Sequence, residues 1–313
     1  MMEGERREAP AASGRNWAEM QSDVLMLIFQ KIGLIEVLRA AGSVCRSWRK
    51  VAKEEPELWR RINMTNHGYV RNAYLLKDPT RVAIDRSGGL LEEFSVEGFG
   101  DDDLLRYLCD RTSVLKRLCL ISCYQFSAEA IAETAKRQPL LEEIQITLGS
   151  FTQKVTEIVG KECPQLKTFK FNKTWYHNPD HDPNYDDEIS HDEDAFGIAE
   201  TMHQLRHLQL IGNRLTKEGL EAILDGCPHL ETLDIRRCYN VEMDADMQAV
   251  CAKLKTIRLP SDSVGDYKFE AEVFSDEEEL DDDVNYDIPG FHDYFDENLF
   301  AHQYHGIFGY WPW

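Results

Sequence analysis

One stretch of this 313-residue chain crowds histidine with aspartate: His177, His181 and His191 stand among Asp180, Asp182 and Asp186. Imidazole and carboxylate together are a donor set for zinc or another first-row divalent ion. Such a site needs its donors at fixed angles, and here Pro179, Pro183 and a run of Asn and Asp supply neither helix nor strand to hold them. The stretch reads better as a solvated loop, or as an arm whose Trp175, Tyr176 and Tyr185 anchor a partner. The eight cysteines, at 45, 109, 119, 123, 163, 227, 238 and 251, form no Cys-x-x-Cys pair. Reduced, buried thiols are expected of them, not a disulfide framework. His203, His207 and His229 have no acid or nucleophile specified beside them. The chain holds no Gly-x-Ser-x-Gly, His-Glu-x-x-His, phosphate loop or dinucleotide fingerprint. The expectation is a non-catalytic protein, with no metal and no cofactor.

The net charge of −21 is concentrated. Asn172 to Asp194 carries eight acidic residues against one Lys, and Asp266 to Trp313 fourteen against one. These two segments account for 20 of the 21 excess negative charges, so the body is close to neutral. Nucleic acid, itself a polyanion, is not an expected partner. No stretch approaches the ~20 apolar residues of a membrane span, and residues 1–14 lack the apolar core of a secretory signal. A cytoplasmic or nuclear protein with a disordered segment at residues 1–14 is expected.

The elements that would position a site begin between Trp17 and Trp59. Val24, Leu25, Ile28, Phe29 and Ile32 recur at helical spacing; so do Leu34, Val37, Leu38 and Ala41, and then Val44, Cys45, Trp48 and Val51. Ser22 is placed to cap the first helix, Gly33 to end it and Ser43 to start the last. Three helices of this size cannot bury all of their own apolar surface, so part of it must be covered by the rest of the chain or by a partner.

Residues 15–60 resemble an F-box, the module that docks a protein onto the Skp adaptor of cullin-based ubiquitin ligases. Val44, Cys45, Arg46, Ser47 and Trp48 match its closing Val-Cys-Arg-x-Trp, and Trp59 its final Trp. Asp23, Val24, Leu25, Leu27, Ile28 and Phe29 match its first helix. Met20-Gln21 stands where the pattern has Leu-Pro; Met can fill the Leu pocket, while Gln21 lacks proline's fixed backbone angle. The resemblance implies an adaptor-binding set of Met20, Val24, Leu25, Ile28, Phe29, Leu38, Val44, Cys45 and Trp48. Which of these contact the adaptor and which form internal core is left open by the sequence.

Residues 61–90 read as a connector in which Val82 and Ile84 suggest a first strand. From Leu91 a unit of Leu, two polar residues, an apolar, a variable and an apolar residue recurs, starting at Leu91, Leu115, Leu141, Leu166, Leu205, Leu230 and Leu254. The steps are 24, 26, 25, 39, 25 and 24 residues, the period of leucine-rich repeats. Ser127 and Thr216 are placed to cap intervening helices and Gly226 to end one. The expected fold is therefore an α unit followed by an α/β solenoid over 91–260, with parallel strands on the concave face and helices on the convex one. The 39-residue step holds the acidic insertion, 172–194. Residues 261–313 form an acidic, aromatic-rich tail, expected to be disordered.

Strand alternation makes Arg117, Glu143, Gln145, Lys170, His207, Gln209, Asp234 and Arg236 candidates for a substrate-binding concave face, with Trp175 from the insertion. The layout of F-box, about seven repeats and an acidic aromatic tail resembles the plant Skp-interacting-partner group. That resemblance implies a substrate-recognition subunit of an SCF-type ligase, partnered by a Skp-type adaptor and through it a cullin, with a protein substrate that the sequence does not name. An interaction scaffold not linked to ubiquitination stays open beside it.

Overall fold

The computed structural model describes residues 17–67, 73–148, 155–173 and 192–268. Helix α1, Ser22–Ile32, is followed by a bent helical segment made of α2, Leu34–Glu36, a π-helical turn at Val37–Ala41 and α3, Gly42–Val44. Gly33 ends α1 with φ +89°, a backbone angle that favours glycine. The capping expected of serine is corrected at both places. Ser22 is the first helical residue, and the extended Gln21 before it makes no side-chain cap. Helix α4, Arg46–Glu54, is capped by Cys45, not Ser43: the Cys45 sulfur accepts from the Trp48 N–H at 3.5 Å.

The connector is also corrected. Val82 and Ile84 lie in helix α5, Lys77–Arg86, where Thr80, Ala83 and Ile84 are buried at helical spacing and Pro79 occupies the first turn. The first strand is instead β1, Arg61–Met64, whose residues alternate exposed and buried. It pairs in parallel with β2, Glu93–Glu97, so the sheet starts one strand earlier than the repeats in the sequence.

Beyond β2 the expected alternation holds: α6 (Asp102–Cys109), β3 (Arg117–Ile121), α7 (Ala128–Arg137), β4 (Glu143–Thr147), α8 (Val155–Glu162), β5 (Thr168–Asn172), α9 (Glu193–Thr201), β6 (His207–Gln209), α10 (Lys217–Gly226), β7 (Thr232–Asp234), α11 (Ala245–Cys251) and β8 (Thr256–Arg258). The eight strands form one parallel sheet in chain order. Register places Phe94, Leu118, Ile144, Phe169, Leu208, Leu233 and Ile257 in one row. All but Ile257 are buried. No single repeat could bury this row; stacking covers it with the neighbours' side chains and the helices behind.

Polar atoms tie successive repeats together. Ser127 caps α7 and binds both oxygens of Asp102 at 2.8 Å, and Thr216 caps α10 while binding both oxygens of Asp192. The Cys123 and Cys238 thiols reach the carbonyls of Phe99 and Leu210 in the preceding repeat, at 3.2 and 2.8 Å. Burial pushes both thiols up to about 12, so they are neutral donors at physiological pH. The insertion is shorter than its sequence boundaries. Asn172 completes β5, while Asp192 and the start of α9 belong to the repeats.

The expectation that Gly226 ends α10 is corrected: it is the last helical residue, without a left-handed backbone angle, and Cys227 is the C-cap. Glycine is needed there for space. A Cβ there would lie 2.3 Å from the Ala199 carbonyl oxygen, so α9 and α10 can approach only without it. Gly226→Ala is expected to cost about 1–3 kcal/mol through forced separation of the helices. The measurement is a thermal melt; an unchanged melting temperature would contradict the close approach.

Candidate functional site

Among the described residues, the sequence candidates fall on two surfaces. The first is on the N-terminal helices. Leu25 and Phe29 are fully buried, together with Val37, Val51, Leu58 and Trp59, in a core that continues into Ile62, Met64 and Phe94. Of the nine sequence candidates, these two are therefore internal in this conformation. Met20, Ile28, Leu38 and Trp48 are half-buried against that core. The Trp48 ring meets Phe29 edge-on at 5.3 Å, and its indole N–H donates to the Trp17 carbonyl at 3.2 Å. Cys45 is half-buried as the cap described above.

Val24 and Val44 stay open, at 41% and 54% exposure. Leu27 and Trp17, which were not among the candidates, are 60% and 54% exposed. Positions 24 and 27 fall on the side of α1 turned away from Leu25 and Phe29, and half-buried Ile28 lies at the edge between the two sides. The helical unit thus buries one face against the repeats and leaves a second apolar face exposed. Nothing in the run Val24-Leu25-Met26-Leu27-Ile28-Phe29 could separate these faces beforehand, because every residue in it is apolar.

The junction to the repeats is electrostatic as well as apolar. Arg60 binds Glu57 and Glu92, each at 3.0 Å, and Lys116 binds Glu92 at 2.9 Å. Hydrogen bonds from Arg60, then Lys116, hold the Glu92 carboxyl down at about 2. Its folded value lies below its ordinary one, so this contribution is complete above about pH 4.5 and is lost as pH falls toward 2. Glu92→Gln should therefore make the fall of melting temperature with acid less steep below pH 4.5; an acid limb identical to that of the unaltered chain would contradict this.

The second surface is the concave face of the sheet. Its first row is a ladder of alternating charge, Arg61–Glu93 at 3.3 Å, Arg117–Glu93 at 2.8 Å and Arg117–Glu143 at 2.7 Å, and Lys170 reaches Glu143 from the next row at 3.2 Å. Burial raises the Glu143 carboxyl, but Lys170 and Arg117 outweigh it and hold the value below the ordinary range. Arg117, Glu143 and Lys170 are thus paired with one another. Next to them Gln145 donates to Thr147 at 3.2 Å, and burial pushes the Cys119 thiol up to about 11. His207 is exposed, with Nδ1 2.9 Å from the Thr232 hydroxyl. Gln209 donates to Asp234 at 3.0 Å and accepts from Asn172 at 2.9 Å.

Arg236 is the candidate that the structure changes most. It is only 3% exposed. Its guanidinium grips Asp234 with two hydrogen bonds, of 2.9 and 2.7 Å, and it also donates to the Ser263 carbonyl at 2.8 Å and to Asp266. Arg258 reaches the other Asp266 oxygen at 3.3 Å. Residues 261–268, read from sequence as the start of a disordered tail, therefore fold back over the sheet. There the Tyr267 hydroxyl lies against Thr147 and Asn172, at the ends of β4 and β5, and burial raises it to about 12. Trp175 and the metal reading of His177, His181 and His191 lie outside the described residues; among those described, no His, Cys, Asp and Glu gather as a metal site. No described helix is long and apolar enough to cross a membrane.

The F-box-like family matches residues 22–65. The Arabidopsis thaliana F-box protein SKIP19 is 42% identical over 253 residues, covering 80% of this chain and 79% of SKIP19. Arabidopsis F-box/LRR-repeat protein 22 is 38% identical, covering 90% of this chain and 87% of that protein. F-box/LRR-repeat protein 23 is 40% identical over 80% of this chain; the chain spans 54%, about half, of that relative's length.

Proposed function

This chain belongs to the F-box/LRR-repeat family, and from that membership we propose that it is the substrate-recognition subunit of an SCF-type ubiquitin ligase. Residues 15–60 bind a Skp-type adaptor, and through it a cullin. The repeats hold a protein substrate on their concave face. The observation that supports this best is the division of the F-box helices: Leu25 and Phe29 are committed to the chain's own core while Val24, Leu27 and Val44 remain exposed. A monomeric repeat protein that needed these helices only as an end cap would gain by making that face polar.

The adaptor contact in this proposal is Val24, Leu27, Ile28 and Val44, with Met20, Leu38, Cys45 and Trp48 shaping the surface from below. The chain supplies position, not chemistry. Holding a substrate beside a ubiquitin-charged enzyme replaces a collision at cellular concentration by one at an effective concentration of about a millimolar for a short tether. Co-expression with a Skp-type adaptor and a cullin tests the proposal. A stoichiometric complex on gel filtration supports it; a folded chain that elutes without the adaptor removes it, and leaves an interaction scaffold unlinked to ubiquitination.

A further inference from the structure

The segment 261–268 behaves as a ligand of the sheet, not as a continuation of it. After β8 the chain turns back, with Arg237 donating to the Pro260 carbonyl at 2.9 Å and Asp262 closing a turn on Leu259. It then crosses the concave face against the order of the strands, from β8 and β7 to the ends of β5 and β4. Its contacts are those by which a groove reads a peptide: a main-chain carbonyl (Ser263) and a carboxylate (Asp266) on the Arg236 guanidinium, then a phenol (Tyr267) set against Thr147 and Asn172. A bidentate Asp234 holds that guanidinium in place from beneath. We infer that the concave face over β4–β8 is a recognition slot for an acidic–aromatic peptide segment, and that residues 261–268 occupy it in cis as a resident ligand which a substrate segment of the same chemistry must displace. This rests on the concave face being the substrate surface.

The energetics suit displacement. Asp266 is 54% exposed in both of its ion pairs, and such pairs are worth little. Most of the attachment therefore falls to the half-buried Tyr267. Tethering makes a weak contact sufficient: a segment that binds in trans with a Kd of about 100 µM is about 90% docked at an effective concentration of about 1 mM. A free segment only modestly better than the resident one can then compete.

The test uses the full chain, unaltered and as Asp266→Asn/Tyr267→Ala, with a labelled synthetic peptide of residues 259–268 as the probe. Fluorescence polarisation is expected to show the variant binding the peptide at least tenfold more tightly than the unaltered chain. A peptide carrying the same two substitutions should bind neither. Equal binding to both chains, or no binding to a variant that keeps its melting transition, would overturn the slot and leave the segment a structural end cap. Should the double variant fail to fold, Tyr267→Ala alone carries the test with the same two readings, because that side chain supplies most of the attachment. Adaptor capture measured on the same preparations reports on the receptor proposal separately, because the F-box surface lies on other elements.

Discussion

Val24→Asp combined with Leu27→Asp is expected to abolish capture of a Skp-type adaptor by a chain that still folds. Both side chains are largely open in the free protein, at 41% and 60% exposure, so the substitutions cost the isolated chain little. At an apolar interface they remove about 1 kcal/mol of burial each, at about 25 cal/mol per Å². They also bring two carboxylates into a surface with no counter-charge assigned, which adds several kcal/mol. A total of about 4–6 kcal/mol is a loss of roughly 10³–10⁴-fold in affinity. The informative control is Leu25→Asp, one residue away. Leu25 is fully buried, so that change should lose adaptor binding by unfolding the helices, visible as a lowered melting temperature and reduced helical signal. Adaptor affinity within threefold of the unaltered chain for the Val24/Leu27 variant would show that the exposed face is not the contact.

Trp59→Ala carries the largest expected loss of stability. Its ring is fully buried between the helices and the first repeat, its indole N–H donates to the Ala52 carbonyl at 3.1 Å, and the Arg86 guanidinium stacks 5.2 Å from its centroid. Truncation removes a large buried surface and leaves a cavity that neighbours on three elements cannot all close, for about 3–5 kcal/mol. The carbonyl of Ala52 and the guanidinium of Arg86 lose their partner as well. For a folded body of this size each kcal/mol lowers the melting temperature by about 2–4 °C, so a drop of about 10 °C is expected. A drop under about 3 °C would mean that the F-box and the repeats do not share a core at this residue.

How much of this was legible depended on whether a signal was local. The Val-Cys-Arg-x-Trp run and the period near 25 are properties of neighbouring residues, and the F-box and the repeat solenoid both followed from them. The division of α1 into a core face and an open face was not readable, because six consecutive apolar residues carry no periodicity. Strand β1 is a four-residue stretch, Arg-Ile-Asn-Met, too short to stand out. Val82 and Ile84 alternate like a strand, yet Thr80 and Ala83 complete a helical face that Pro79 starts. Cys45 was read for its place in the motif and not as a cap, since sulfur is a weak acceptor. The return of residues 261–268 rests on partners far back in the chain: Arg236 for Asp266, thirty residues earlier, and Thr147 and Asn172 for Tyr267. Taken by itself the segment, Ser-Asp-Ser-Val-Gly-Asp-Tyr-Lys, carries no periodicity of helix or strand.

Backbone hydrogen exchange of the full chain, with and without a purified Skp-type adaptor, tests the central claim most directly. The account predicts at least tenfold slower exchange in α1 and across Gly42–Val44 into α4 when the adaptor is added, with β5–β8 unchanged. Exchange in those helices that the adaptor leaves untouched, or protection confined to the concave strands, would contradict it.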